Sequence, residues 1–136
     1  MNTSLTQLQS YNTMYKLLDN YSKEINAEDI LALLSYMLFF VDGSTADPAI
    51  WSDWLKAINN KSTLTEQEAF DGMIRFLEIY RDLISSADTT ILIDKLRSAK
   101  DCYDMQVPIV KQWNLYLKIV LQEPKDSRTY LQPTKK

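Results

Sequence analysis

The chain has 136 residues, of which 46% are hydrophobic, and this is enough apolar material for one domain with its own core. It carries 18 acidic and 15 basic residues, and its net charge of −3 argues against direct binding to nucleic acid, which needs a basic surface. Because it has no histidine and one cysteine, it lacks the usual groups for acid–base catalysis, zinc ligation and an internal disulfide, so we predict a non-enzyme without cofactor or metal.

Composition also bears on localisation and fold class. No apolar run reaches the length of a membrane span, the first residues do not resemble a signal peptide, and one cysteine fits a reducing compartment. We therefore expect a cytoplasmic protein without a membrane partner. Only two glycines and four prolines favour helices, and we expect no β-sheet.

The first helix is predicted from its cap. Thr6-x-x-Gln9 is a capping box, in which the threonine hydroxyl accepts from the amide three residues on and the glutamine side chain reaches back to the threonine amide. Apolar residues then recur at spacings of three and four from Tyr11 to Ile25, which places them on one helical face. This face is predicted to enter the core.

Two further helices are predicted in the first half of the chain. The second covers Ala27 to Asp42, with Asn26 as its N-cap and Gly43 as its stop, and its nearly continuous apolar sequence predicts a central position covered on most sides. The third begins at Asp47-Pro48, a carboxylate cap followed by proline in the first helical position, and ends near residue 60.

The second half of the chain repeats this plan, with helices predicted at 66–85, 87–104 and 107–122. Residues 5–58 align without a gap on the residues 59 positions later, with eleven identities that include Trp54 and Trp113. Such a period indicates a copied supersecondary unit. The predicted fold is therefore all-α, with six helices in two tandem three-helix repeats, 5–60 and 64–121, that share one core in a single domain of residues 1–122. Residues 123–136 are predicted to form a flexible polar tail.

Acidic residues concentrate in the first half, where residues 1–60 carry seven acids and three bases. Two interpretations stay open: a solvated acidic face, or a docking surface for a basic partner. Trp51 is likewise either a core residue or an exposed anchor, since tryptophan is enriched among binding hot spots. The predicted partner-binding surface comprises Glu24, Glu28, Asp42, Asp47, Trp51 and Asp53.

The segment from Leu5 to Trp54 contains an aromatic-x-x-Met helix, an apolar second helix and the start of the sequence VDGSTADPAIWSDWLKAI. It resembles the small all-helical immunity proteins encoded beside bacterial contact-dependent and polymorphic toxins. The resemblance implies a cytoplasmic protein that binds one cognate toxin domain tightly and neutralises it in the producing cell. We further expect a monomer or a weak dimer. The acidity favours a basic toxin, such as a nuclease, whose active site is covered. The alternative is a helical adaptor or structural interaction module without a toxin partner.

Overall fold

The computed structural model describes residues 4–102 and 106–131, which form six α-helices and one two-stranded sheet. The helices are α1 Gln7–Ile25, α2 Glu28–Met37, α3 Pro48–Ala57, α4 Glu66–Ile84, α5 Ala87–Cys102 and α6 Pro108–Gln122, and the strands are β1 Leu5–Thr6 and β2 Thr63–Leu64. The prediction of an all-α protein with six helices is confirmed at this level. The predicted end of the fifth helix at Asp104 lies outside the described residues.

The expectation of no sheet is wrong, because β1 and β2 form an antiparallel ladder. Leu5 lies opposite Leu64, and Thr6 lies opposite Thr63. Both leucines are buried, and buried backbone amides and carbonyls need partners, so the two extended segments bond to each other. Low glycine and proline content argues against an extended sheet but carries no information about a ladder of two residues.

Both long helices begin with the predicted capping boxes. In α1 the Thr6 hydroxyl accepts from the Gln9 amide at 3.0 Å, and the Gln9 side chain accepts from the Thr6 amide at 2.9 Å. In α4 the corresponding distances between Thr65 and Glu68 are 3.1 and 2.9 Å. Each helix then runs for 19 residues. The start of α3 is also as predicted, with Pro48 in the first turn.

The boundaries of α2 differ from the predicted Ala27–Asp42. Asn26 is in the left-handed region with φ 55 and ends α1, so it does not cap α2. The helix ends at Met37 because Phe39 is extended and forms isolated bridges with two other segments of the chain. Gly43, with φ 91, forms part of a turn in the loop after α2 and does not end the helix.

Helix α2 is also less covered than predicted. Ile30, Leu33, Leu34 and Met37 are buried on one face, whereas Leu31 and Tyr36 are each 43% exposed on the other. An apolar sequence shows that a helix is hydrophobic, but it does not show how many neighbours the helix has. The exposed face of α2 therefore contributes to the surface described below.

The core is built by packing two helices on each long helix. Helix α1 packs against α2 and α6, while α4 packs against α5 and α3. Trp54 and Trp113, which occupy equivalent positions in the two halves of the chain, are both fully buried. Gly72 permits the close approach of α3 to α4, since a Cβ at this position would lie 2.6 Å from Cγ2 of Ile58. Over the described residues, no helix combines the length and apolarity that crossing a membrane requires.

The segment after α6 lies back on the domain. The Asn12 side chain donates to the carbonyl of Ser127 at 2.7 Å, the Phe39 amide donates to the carbonyl of Thr129 at 3.0 Å, and the Leu131 amide donates to the carbonyl of Phe39 at 2.8 Å. These bonds explain why the chain leaves the helical conformation before Phe39. The predicted flexibility of the tail stays a prediction, and its residues 132–136 lie outside the described part.

Candidate functional site

One cleft brings together two of the predicted acidic residues. It lies between α2, α3 and the last turn of α4 and has a volume of about 260 Å³. We call it the acidic cleft and define it by Tyr36, Asp47, Asp53, Tyr80, Leu83 and Ile84. Its residues come from both halves of the chain, so it exists only in the folded domain.

Helix α3 positions both carboxylates. Asp47 is the N-cap residue, and its side chain accepts from the amide of Ala49 at 3.0 Å. Its backbone amide donates to the carbonyl of Tyr36 at 3.2 Å, which ties the start of α3 to α2. Ile50 and Asp53 follow at intervals of three residues and therefore lie on the same side of the helix.

Within the part of the chain that the structure describes, neither carboxylate has a basic partner. Among the described residues, every ion pair involves other acids, so Asp47 and Asp53 contribute uncompensated negative charge to the same cleft. Both side chains are partly buried. Carboxylates in a concave, partly apolar site produce a stronger local field than the same charges on an open face.

The remaining walls of the cleft are apolar and accessible. Leu83 is 72% exposed, Ile84 is 46% exposed, and Tyr36 stands beside them on α2. Contiguous exposed apolar side chains next to polar groups are typical of surfaces that bind another protein. The acidic cleft therefore offers both charge and apolar area to a partner.

Tyr80 forms part of the same cleft and is held in place. Its hydroxyl donates to the backbone carbonyl of Asp29 at 2.8 Å. Burial, with smaller contributions from Asp29 and Tyr36, raises the pKa of Tyr80 to about 12. The phenol is therefore neutral at physiological pH and adds no charge to the cleft.

Asp42 and Trp51 lie outside the acidic cleft. Asp42 is exposed in the loop before α3, where it accepts from the amide and the hydroxyl of Ser44, and these two bonds lower the pKa of Asp42. Trp51 is partly buried and meets the ring of Tyr11 edge-on, with ring centroids 5.2 Å apart. It lines a different cleft, together with Leu8.

The two predicted glutamates also lie elsewhere. Glu24 is near the end of α1, where it accepts from the side chain of Gln112 at 3.2 Å. Glu28 is exposed in the first turn of α2, where the helix dipole favours an acidic residue. Of the six predicted residues, Asp47 and Asp53 line the acidic cleft. A role for Glu24, Glu28, Asp42 and Trp51 in partner binding stays a prediction.

Sequence reasoning missed the apolar walls of the cleft. Tyr36, Leu83 and Ile84 reach it from α2 and α4, and no short motif contains them together with Asp47. Leu83 does offer a signal in the sequence, because it is an apolar residue that falls outside the apolar stripe of α4.

Within the described residues, no group of three histidine, cysteine or acidic side chains is placed to hold a metal ion. Comparison of the chain with models of protein families, with curated proteins and with solved structures finds no match.

Proposed function

We propose that this protein is an immunity protein that binds a basic toxin domain and blocks its active site. The acidic cleft is the observation that carries the proposal. It combines the carboxylates of Asp47 and Asp53, which form no ion pair with any described residue, with the exposed side chains of Leu83 and Ile84. This combination suits a partner that presents a basic side chain beside an apolar one.

In the proposed complex, a lysine or arginine of the toxin enters the cleft and pairs with Asp47 and Asp53. An apolar side chain beside it packs on Leu83 and Ile84 and excludes water, which strengthens the charged contact. If the toxin is a nuclease, these carboxylates stand where nucleic-acid phosphates would bind, so the substrate is excluded. The protein then acts by binding alone, as a monomer or weak dimer in the cytoplasm of the producing cell.

We further propose that the domain consists of two three-helix units related by duplication. The proposal is supported by the offset of 59 residues between the two capping boxes and between Trp54 and Trp113. It is also supported by reciprocal packing, since α3 packs on α4 while α6 packs on α1. Each unit thereby places its third helix against the first helix of the other unit, so that both share one core.

The test of function is a double variant, Asp47→Asn with Asp53→Lys. Asparagine keeps an oxygen at the N-cap of α3, so the helix start is preserved while its charge is removed. We expect the affinity for the neighbouring toxin-domain gene product to fall by at least about tenfold, because a charged partner group loses its counter-charge. Binding is measured by calorimetry and protection by survival of cells that express the toxin.

The matched control is Asp42→Lys with Glu28→Gln, which makes the same change in net charge outside the cleft. It should keep most of the affinity if the cleft is the interface. If the control variant loses binding while the cleft variant keeps it, the interface lies outside the acidic cleft. If wild-type protein does not co-purify with that gene product at all, the alternative of an adaptor without a toxin partner is favoured.

A further inference from the structure

The segment that follows α6 lies along the loop between α2 and α3, and we call its residues 127–131 the C-terminal strap. In the loop, the amide of Phe39 donates to the carbonyl of Thr129 at 3.0 Å, and its carbonyl accepts from the amide of Leu131 at 2.8 Å. The strap is thus bonded to the loop through the main chain of one residue, Phe39.

The residues on either side of Phe39 bond in the opposite direction, because successive peptide groups of an extended chain point to opposite sides. The amide of Phe40 donates to the carbonyl of Ser44 at 2.8 Å, and the amide of Ala46 donates to the carbonyl of Leu38 at 2.7 Å. Phe39 therefore lies between the strap and the segment that leads to α3, and it is only 3% exposed.

The segment that leads to α3 holds the main chain of Asp47, whose side chain lines the acidic cleft. Thr45 is buried in this segment, and its hydroxyl donates to the carbonyl of Asp47 at 2.7 Å. The amide of Asp47 donates to the carbonyl of Tyr36 at 3.2 Å, and its carboxylate accepts from the amide of Ala49 at 3.0 Å. Hydrogen bonds and adjacent peptide units thereby connect the strap with the N-cap of α3.

The strap is held mainly through its main chain and can open without unfolding the helices. Tyr130 and Leu131 are 41% and 45% exposed, and the buried apolar residues of the described chain end at Val120. Docking also leaves the Nε of Arg128 buried without an acceptor among the described residues, which is a cost that release removes. Segments with few buried contacts open at a lower free energy than the core does.

The second half of the chain is built differently at the equivalent positions. Helix α5 continues through Ser98, the residue 59 positions after Phe39, so this position is helical. The N-cap of α6 is Val107, which provides no side-chain cap. An aspartate N-cap and a docked strap therefore occur together at the start of α3, as expected if the strap serves that N-cap.

We propose that docking of the C-terminal strap fixes the position of Asp47, so that the strap controls binding at a cleft that none of its residues lines. In the docked state Phe39 is bonded on both sides, and Asp47 is held in place for a basic group of the partner. Release of the strap loosens the segment that leads to α3 and weakens binding. By linkage, a partner in the cleft stabilises the docked strap to the same extent. This inference rests on the proposed function for the identity of the partner.

The variant Leu131→Pro tests this coupling in the full chain without toxin. Proline lacks the amide that donates to Phe39, and it is compatible with an extended residue before it. In hydrogen exchange followed by NMR, we expect the protection factors of the Ala46 and Asp47 amides to fall about threefold or more, because a buried carbonyl loses its partner. The matched control Leu131→Ala keeps the amide and changes only an exposed side chain, so it should leave both amides as in wild type.

The reciprocal variant acts at the other end of the connection. Thr45→Val removes the hydroxyl that donates to Asp47 while keeping a side chain of similar shape, and it should lower the protection of the Leu131 amide. The matched control is Thr90→Val on α5, which removes a similar bond from a hydroxyl to the carbonyl of Ser86. This control should leave the protection of the Leu131 amide unchanged.

Each of three exchange results overturns the inference. The first is equal protection of Ala46 and Asp47 in Leu131→Pro and Leu131→Ala. The second is an unchanged Leu131 amide in Thr45→Val. The third is a parallel loss in Leu131→Pro at the amide of Ala69, a buried residue in the first turn of α4, because that loss would mean global unfolding.

Toxin binding, measured by calorimetry, separates this inference from the proposed function. If the double variant of Asp47 and Asp53 loses binding, Leu131→Pro should weaken the affinity about fivefold or more, and Leu131→Ala should not. Wild-type affinity of Leu131→Pro in that case overturns the inference. If neither the double variant nor Leu131→Pro changes binding, the proposed function fails, and the exchange results alone decide whether the strap positions Asp47.

Discussion

Leu5 lies directly opposite Leu64 in the antiparallel ladder, and each leucine precedes the threonine that caps a 19-residue helix. Both leucines are buried, with 0% and 2% exposure, so the starts of α1 and α4 meet at one point of the core. Residues at equal distances from the two caps can therefore be compared directly. This relationship provides matched variants in which one half of the chain serves as the control for the other.

The tyrosines at positions 21 and 80 give the first such comparison. We expect Tyr80→Phe to lower the free energy of unfolding by about 1 kcal/mol, because it removes the bond to the Asp29 carbonyl. Tyr21→Phe should be neutral or stabilising, since its hydroxyl has no partner among the described residues. Denaturant unfolding of both variants, with unchanged m-values, measures the difference. An equal loss in Tyr21→Phe would contradict the assignment of an unmet donor.

The two capping boxes give the second comparison, because only the box at Thr65 contains a titratable side chain, that of Glu68. The bonds from Lys61 and from the Thr65 amide lower the pKa of Glu68, whereas Gln9 occupies the same position in α1 and has no charge to lose. The folded-state pKa of Glu68 lies below the ordinary value of about 4.3. Glu68 therefore contributes fully to the stability of the capping box at pH values above about 4.3. It is lost as the pH falls through the lowered pKa.

We therefore expect the amide of Thr65, which donates to the Glu68 carboxylate, to lose protection from hydrogen exchange in acid sooner than the amide of Thr6, which donates to the Gln9 side chain. The comparison uses protection factors, which remove the intrinsic pH dependence of exchange. The variant Glu68→Gln should abolish the difference, because the second box then has the same threonine–glutamine pair as the first. Parallel loss of protection at both helix starts in wild type would show that acid acts through global unfolding.

Local chemistry allowed the helix starts to be predicted from the sequence. The boxes at Thr6 and Thr65 and the Asp47-Pro48 start are each specified within four residues, so they depend little on the remaining chain. The end of α2 was not predictable in this way. Phe39 takes its backbone partners from Thr129 and Leu131, about ninety residues away, and only the tertiary structure reveals that competition.

Only the acidic half of the candidate site could be predicted from the sequence. Asp47 and Asp53 stood out because acidic residues concentrate in the first half of the chain, and the spacing along α3 places them on one side. Leu83 and Ile84 come from a helix thirty residues later, and which helices border a cleft is set by packing. Charge in a sequence shows that a surface is acidic, but it does not show which apolar groups lie next to it.

The last prediction concerns the apolar wall of the acidic cleft and depends on the proposed function. Leu83 is 72% exposed, so Leu83→Ala should change the free energy of unfolding by less than about 0.5 kcal/mol. We expect it to weaken toxin binding about fivefold to thirtyfold, mainly through faster dissociation, because an anchor in the centre of an interface is lost. The matched control is Ile91→Ala on α5, which is 52% exposed and outside the cleft, and it should bind as wild type does.

Surface plasmon resonance at two salt concentrations separates this effect from that of the carboxylates. Asp53→Asn should slow association and reduce its salt dependence, whereas Leu83→Ala should leave the association rate nearly unchanged. If Leu83→Ala and Ile91→Ala dissociate from the toxin at the same rate as wild type, the apolar wall is not part of the interface. The carboxylates then act only by steering the partner towards another surface.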